Sequence, residues 1–249
     1  MPTQVVIAAS TGNILADSAV QRVVREVRAV TDACVFLCGG AGQMSPADAA
    51  AVRLALDALG AVEQRGIRLA VADGGTEAGI MAAAGLARAA SRCDFPLIGV
   101  VPSREVPPIG TTPLDPHHSH IVKVDNPTWP IDTGFWGSET EAMFALFDAL
   151  AEGRPAVAVV ANGGNLALRE VDASIRAGRR IVLLDGTGRA TDILAAALRT
   201  PDRPLDSSDD LARQVLSLNL LRQPELFLSV PVASGAAGLA DALVECLRP

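Results

Sequence analysis

The sequence alternates short apolar runs with longer segments in which apolar residues recur at helical spacing. The runs are 5–9, 34–38, 69–72, 97–101, 120–124, 156–160 and 181–184, and the helical segments are roughly 17–29, 46–65, 77–92, 138–152, 166–177 and 191–199. Strands that are apolar throughout belong to sheets covered on both faces. Alternation of strands and helices is typical of parallel, doubly wound sheets. We therefore predict an α/β fold, with a Rossmann-like, mostly parallel sheet between two helical layers.

Two stretches interrupt this alternation. Residues 102–119 form a proline-rich loop, and loops of that length are usually functional or mobile. Residues 200–210 form an acidic linker, after which two helical patterns surround the apolar stretch LFLSV. We expect residues 1–200 to form the main domain, and residues 201–249 to form a linker and a helical extension packed on the same domain.

Charge and composition exclude several classes of protein. The net charge is −7, and Lys123 is the only lysine among 21 basic residues, so a broad nucleic-acid surface is not expected. No apolar run reaches the roughly 18–20 residues of a membrane span, and the N-terminus lacks the basic region of a signal peptide. The four cysteines form no C-x-x-C pair and are interpreted as buried core residues. We expect a cytoplasmic protein without a membrane or nucleic-acid partner.

Four of the predicted strands are followed by glycine-containing turns: CGGAG at 38–42, DGGTEAG at 73–79, NGG at 162–164 and DGTGR at 185–189. In a parallel sheet these turns share one edge, where ligands bind at the switch point. Glycine lets a ligand approach the backbone, and the helix N-terminus behind it offers unpaired N–H groups to an anion. The turns therefore favour a phosphate or pyrophosphate ligand. The alternative is that the glycines serve only tight turns in a structural dimerisation module.

All three histidines fall in the sequence HHSH at 117–120. His118 and His120 share one side if a strand has begun there. A latch in which the ring nitrogens bond backbone carbonyls of the long loop is favoured over ligand contact, and ligand contact over a metal site. We therefore predict no metal. Trp129 and Trp136 lie beside the proline-rich loop. Three interpretations stay open for them: a base-stacking platform, hydrophobic packing of a lid, or a dimer contact.

Several longer stretches resemble motifs of one superfamily. DGGTEAGIM at 73–81 resembles the G-G-x-x-x-G-[LIV]-M turn of the SLOG superfamily, which includes the LOG phosphoribohydrolases, and NGGNLALREV at 162–171 occupies the place of the LOG motif G-G-x-G-T-x-x-E. LDPHHSHIVKVD at 114–125, WGSE at 136–139 and LLDGTGRATDILAAAL at 183–198 resemble motifs of its LSDAT branch. That branch contains the cytoplasmic ligand-sensing domain of melastatin-type TRP channels and its free-standing prokaryotic relatives.

This resemblance implies a Rossmann-like fold and a nucleotide-derived ligand, which is ADP-ribose or a relative in the channels and a cyclic nucleotide in some bacterial defence proteins. Arg104 resembles a basic residue that contacts the ligand in the channel branch. The candidate ligand residues are the glycines Gly39, Gly40, Gly74, Gly75, Gly79, Gly163, Gly164, Gly186 and Gly188, together with Thr76, Arg104, Asn162, Asn165, Glu170 and Arg189. Each polar member also has an ordinary structural role as a helix cap, a dipole partner or a solvated charge.

The LOG enzymes cleave an N-glycosidic bond with the glutamate of their motif and an arginine from the preceding helix region. Glu170 occupies the matching position, but no Lys or Arg occurs between residues 125 and 153, and Leu166 and Ala167 replace the family's G-T pair. We therefore predict binding or sensing over hydrolysis by Glu170, with no cofactor, in a homo-oligomer (a dimer or higher).

Overall fold

The computed structural model describes residues 5–10, 13–40, 44–125, 136–137 and 139–248, and the side chains from residue 13 onward. The strands are β1 (Val5–Ser10), β2 (Ala33–Gly39), β3 (Leu69–Asp73), β4 (Leu97–Pro102), β5 (His120–Asp125), β6 (Ala156–Ala161), β7 (Arg180–Asp185) and β8 (Phe227–Pro231). The helices are α1 (Ser18–Val30), α2 (Pro46–Leu56), α3 (Ala58–Gln64), α4 (Gly79–Ala90), α5 (Thr140–Ala151), α6 (Asn165–Arg176), α7 (Arg189–Arg199), α8 (Asp210–Ser217) and α9 (Gly235–Leu247).

The described strands form one eight-stranded sheet in the order β1-β5-β4-β3-β2-β6-β7-β8. Every neighbouring pair is parallel, so the predicted doubly wound α/β fold is confirmed. The seven apolar runs supply β1–β7, and the stretch LFLSV supplies β8 at one edge.

The direction of winding changes between β2 and β6, which lie side by side in the middle of the sheet. From β2 the chain adds β3 and β4 on one side, and from β6 it adds β7 and β8 on the other. Loops that leave the carboxyl ends of β2 and β6 therefore diverge, and a crevice opens between them.

Helices cover both faces of the sheet because successive side chains on a strand point to opposite faces. Along β2, Val35 and Leu37 belong to the core beneath α2, α3, α4 and α9, whereas Cys34 and Phe36 belong to the core beneath α1 and α5. A third cluster packs α6, α7 and α8 against β6 and β7. Among the described helices, none is both long enough and apolar enough to cross a membrane.

The C-terminal extension shares this core. Leu239 and Leu243 of α9 are fully buried in the cluster that contains Val157 and Val159 of β6. Asp172 of α6 accepts a hydrogen bond from Arg222 at 2.8 Å, which joins the two segments a second time. We therefore expect residues 201–249 to fold and unfold together with residues 1–200.

The two tryptophans test this expectation because both precede residue 200. Leu243→Ala leaves a cavity in the shared core and should destabilise the protein by about 2–5 kcal/mol. Tryptophan fluorescence during denaturant unfolding should report the full shift. Leu54→Ala is the control, since Leu54 is 62% exposed and its loss should change the unfolding free energy by no more than about 0.5 kcal/mol. A tryptophan transition that Leu243→Ala leaves unmoved would show that the extension is a separate unit.

Candidate functional site

A cleft of about 580 Å³ opens at the carboxyl ends of β2, β3 and β6, where the winding direction changes. Its floor is formed by glycines at the ends of these strands, and its walls are formed by the starts of the helices that follow. The lining residues are Leu37, Gly39, Gly40, Gly74, Thr76, Ala78, Met81, Thr112, Trp136, Glu139, Gly164, Asn165, Leu166, Ala167, Glu170 and Arg189. Glycine is required at Gly39 because a Cβ there would lie 2.5 Å from the Ala161 carbonyl oxygen of the neighbouring strand.

Four helices, α4, α5, α6 and α7, begin at this cleft. At none of these four starts does a described side chain cap the first turn. In α1, α2 and α8 a side chain does so (Asp17, Ser45 and Asp209), whereas α3 and α9, which do not line the cleft, also lack a side-chain cap. Uncapped N–H groups carry the positive end of the helix dipole. The first N–H groups of α7, from Ala190 and Thr191, already bond the Gly163 and Asn162 carbonyls, so the backbone donors that suit an anion come from the starts of α4 and α6.

Arg189, the first residue of α7, brings a positive charge to the same place. Its guanidinium lies against the backbone of α6, because a Cβ on Gly164 would be only 3.1 Å from Arg189 Nη2. Arg189 adopts a left-handed backbone conformation, with φ 55°, that non-glycine residues rarely take. Within the described residues its guanidinium has no hydrogen bond or ion pair, so its donors face the cleft.

Asn162 fixes the two turns that place Arg189. Its side-chain amide donates to the Thr187 carbonyl at 2.8 Å and accepts from Gly163 N–H at 2.9 Å. Its own carbonyl accepts from the Thr191 hydroxyl at 2.9 Å. Asn162 is 2% exposed and does not line the cleft, so it joins the NGG turn to the DGTGR turn from behind.

Glu170 extends from the second turn of α6 to the floor of the cleft. The residue as a whole is half-buried, but its Oε2 atom is out of contact with solvent and has no hydrogen-bond partner among the described residues. Burial raises the pKa of Glu170 to about 8, and the charges of Glu139 and Asp73 add to that effect. Hydrogen bonds from the Cys38 thiol and the Gly39 N–H oppose it but are weaker. The raised pKa favours the protonated form of Glu170 at neutral pH.

Glu139 is a second buried carboxyl group in the same cleft, 8% exposed. Its Oε2 accepts a hydrogen bond from Gly137 N–H at 2.8 Å, which holds the short segment before α5 in place. Burial raises the pKa of Glu139 to about 7 despite that bond, and the charge of Glu105 contributes. The cleft therefore holds two carboxyl groups that ionise near neutral pH.

His118 is buried behind the cleft between two aspartates. Its Nε2 lies 2.7 Å from Asp73 Oδ1, and its Nδ1 lies 3.0 Å from Asp115 Oδ1. Burial alone would lower the pKa of His118, but the charge of Asp73 and the hydrogen bonds to Asp115 and Asp73 outweigh it and raise the pKa to about 9. The carboxylates of Asp73 and Asp115 therefore hold His118, and with it the long loop, against the end of β3. The sequence had instead suggested that backbone carbonyls of the loop would bond the histidine rings.

The predicted ligand residues divide into two groups. Those that line the cleft are Gly39, Gly40, Gly74, Thr76, Gly164, Asn165, Glu170 and Arg189. Gly75, Gly79, Gly163, Gly186 and Gly188 lie in the adjoining turns without lining it. Arg104 also lies outside it, and its Nε is 3.2 Å from Asp125 Oδ1. His120 begins β5, beside the Ser119 hydroxyl at 2.9 Å, and burial lowers its pKa.

Sequence reasoning did not select Glu139 or Thr112 as site residues, although both line the cleft. The WGSE segment at 136–139 was the available signal for Glu139, because it resembles a motif of the LSDAT branch and lies directly before α5. Trp136 lines the cleft and is 41% exposed, whereas Trp129 lies outside the described residues. No group of three or more potential metal-ligating side chains was found among the described residues.

A family model described as "SLOG in TRPM, prokaryote" matches residues 32–226. The chain belongs to this family. The match confirms the resemblance expected from the motifs and includes every residue that lines the cleft. No curated protein matches this SLOG-family chain.

A solved structure of the molybdenum cofactor binding protein from the phototrophic bacterium Rippkaea orientalis is similar to this SLOG-family protein at a TM-score of 0.51 and 15% sequence identity. The alignment covers 88% of this chain and 98% of that one. At this identity the likeness concerns the fold alone.

The buried His118 predicts a pH-dependent stability for this SLOG-family protein. The pKa of His118 is about 9 when folded and about 6.5 when unfolded, so its contribution is complete below pH 6.5 and is lost as the pH rises through 9. The loss should be of the order of 1–3 kcal/mol. Denaturant unfolding at pH 6 to 9.5 measures it, and His118→Asn should lower the unfolding free energy at pH 6.5 and remove the dependence.

Glu170→Gln is the matched control for that series. The raised pKa of Glu170 also makes stability fall with pH, but only between about 4.5 and 8. The decline between pH 8 and 9 should therefore persist in Glu170→Gln and vanish in His118→Asn. A wild-type protein whose stability is constant from pH 6.5 to 9 would contradict the charged state assigned to His118.

Proposed function

We propose that the cleft binds a nucleotide-derived ligand of the ADP-ribose, cyclic nucleotide or NAD-fragment type. One observation carries the proposal: the uncapped start of α6 and the guanidinium of Arg189, which has no hydrogen bond or ion pair among the described residues, meet at one cleft at the switch point of the sheet. Backbone N–H groups and arginine are the donors that proteins use most for phosphate. The phosphates would lie beside the Arg189 guanidinium, at the N-terminus of α6.

The rest of the cleft suits the remainder of such a ligand. Its volume of about 580 Å³ is within the roughly 300–1,000 Å³ range of small-molecule sites. Leu37, Met81, Trp136 and Leu166 supply apolar walls for a base or the face of a sugar. Thr76 is 1% exposed, and its hydroxyl has no partner among the described residues, so it is available to a ligand hydroxyl or phosphate.

The proposed role is that of a cytoplasmic sensor, in which the ligand is held without being consumed and the signal passes to another protein or to a second subunit of a homo-oligomer. The structural-module alternative explains the glycine turns but gives no role to an open cleft with an arginine that has no partner among the described residues.

Thermal denaturation with a panel of nucleotides distinguishes ligand binding from the structural-module alternative. ADP-ribose at about a hundred times its Kd should raise the Tm by about 5–10 °C. A panel that gives no shift at millimolar concentration would contradict ligand binding.

Arg189→Ala should weaken the binding of ADP-ribose. Loss of a hydrogen bond to a charged group costs about 1.5–3 kcal/mol, which corresponds to about a 10–100-fold rise in Kd by calorimetry. Arg203→Ala is the control, since Arg203 is exposed after α7 and does not line the cleft. Equal Kd values for the wild type and Arg189→Ala would remove Arg189 from the proposed phosphate site.

A second candidate is N-glycosidic hydrolysis of a nucleoside monophosphate, and two observations favour it. The cleft contains two carboxyl groups of raised pKa, Glu139 and Glu170, as many enzyme sites do. The cleft also contains an arginine, Arg189, at the start of α7. The LOG enzymes instead take their arginine from the helix region before the glutamate motif. Chromatography of AMP incubated with the protein tests this candidate: release of adenine that Glu170→Ala abolishes would establish turnover. We expect the wild-type protein to release no more adenine than Glu170→Ala does.

A further inference from the structure

The cleft has an apolar corner at its rim, formed by Trp136 and Leu166. Seven large apolar side chains are exposed among the described residues, and these two alone line the cleft. Their exposed fractions are 41% and 39%. Single exposed apolar residues are ordinary on a protein surface. Two of them side by side in a concave site indicate apolar surface that a ligand would cover.

The turn that presents Trp136 is fixed by its neighbours. Gly137 has φ 91°, a left-handed conformation that favours glycine, and its N–H donates to Glu139 Oε2 at 2.8 Å. Leu166 packs on the same glycine, because a Cβ on Gly137 would lie 2.6 Å from Leu166 Cδ2. Trp136 and Leu166 therefore belong to one corner, in which the segment before α5 meets the first turn of α6.

The apolar corner and Arg189 flank the start of α6 on opposite sides. Arg189 lies against Gly164, the residue that precedes α6, and Gly137 lies against Leu166, the second residue of the helix. Positions two residues apart on a helix differ in direction by about 200°, so a ligand that reaches both sides crosses the N-terminus of α6. An α-helix with its side chains is about 10 Å wide. A flat ring joined to a phosphate through one sugar is long enough to bridge that width.

A nucleobase suits this corner better than the other occupants. The indole of Trp136 has a π-face that stacks on a flat aromatic ring, and such stacking tolerates any base. A sugar ring is puckered, and its hydroxyls would be desolvated against two apolar side chains. A second copy of the chain would have to cover about 800 Å² on each partner, which is far more than two side chains provide.

We propose that Trp136 stacks on the base of the bound ligand, with Leu166 beside it, while Arg189 and the start of α6 hold the phosphate. This inference rests on the proposed function and narrows it: the recognised unit is a base, one sugar and a phosphate, as in the AMP half of ADP-ribose. Trp136 is then a specificity-determining residue, because a sugar phosphate that lacks a base cannot make the stack.

Calorimetric Kd values for ADP-ribose and for its two fragments, AMP and ribose 5-phosphate, test this assignment. The two fragments carry the same sugar and phosphate and differ in the base. Trp136→Ala should raise the Kd of ADP-ribose and of AMP by about 5–100-fold, which corresponds to the loss of one base–aromatic stack. For the wild type, the Kd of ribose 5-phosphate should exceed that of AMP by a similar factor, and Trp136→Ala should leave it unchanged.

Two further variants serve as controls. Trp136→Phe keeps an aromatic face, so it should lose less affinity for AMP than Trp136→Ala does. Leu216→Ala shortens a side chain that is 53% exposed on α8 and does not line the cleft, so it should leave every Kd unchanged. Trp136→Ala should keep the Tm of the unliganded protein within about 2 °C of the wild type, because exposed side chains contribute little to stability.

Three results would overturn the inference and leave the proposed function in place: an ADP-ribose Kd for Trp136→Ala within about twofold of the wild type, an equal loss of affinity for ribose 5-phosphate, or a Trp136→Phe protein that binds as weakly as Trp136→Ala. Failure of both ADP-ribose and AMP to bind the wild type at millimolar concentration would instead refute the proposed function, and the inference with it.

Discussion

A parallel sheet brings the end of every strand to one edge, and the rest of this structure depends on that constraint. Because β2 and β6 are neighbours whose following loops diverge, the edge opens into a cleft. The starts of α4 and α6, which no described side chain caps, bring backbone N–H groups to it. The cleft therefore has backbone donors where the chain passes from β3 to α4 and from β6 to α6, and its individual character comes from the few side chains added to that frame.

Those side chains balance charge in a region with little water. Behind the floor, the single positive charge of His118 offsets one of the two carboxylates, Asp73 and Asp115, between which it lies. Within the cleft, Arg189 is the basic side chain, and burial raises the pKa of both Glu139 and Glu170, which reduces their negative charge near neutral pH. An anion can enter such a cleft without meeting excess negative charge.

The fold could be predicted from the sequence because apolar runs and helical spacing are local patterns. The glycine turns also located the cleft, since parallel strands place their ends together. The individual roles of residues could not be predicted, because they depend on contacts across the sheet. Asn162 joins two turns from behind, and Arg189 reaches Gly164 only because Asn162 holds those turns. The protonation of Glu170 depends on Cys38, Asp73 and Glu139, which are distant in sequence.

The family match supports a ligand-binding domain, and the geometry of the cleft indicates how the proposed ligand would be held. The most direct measurement of the central claim is a crystal structure of the protein with ADP-ribose. We expect the diphosphate to accept hydrogen bonds from Arg189 and from the first N–H groups of α6, at distances of about 3 Å. Density for the ligand at any other surface, or a diphosphate that contacts neither Arg189 nor α6, would contradict the account.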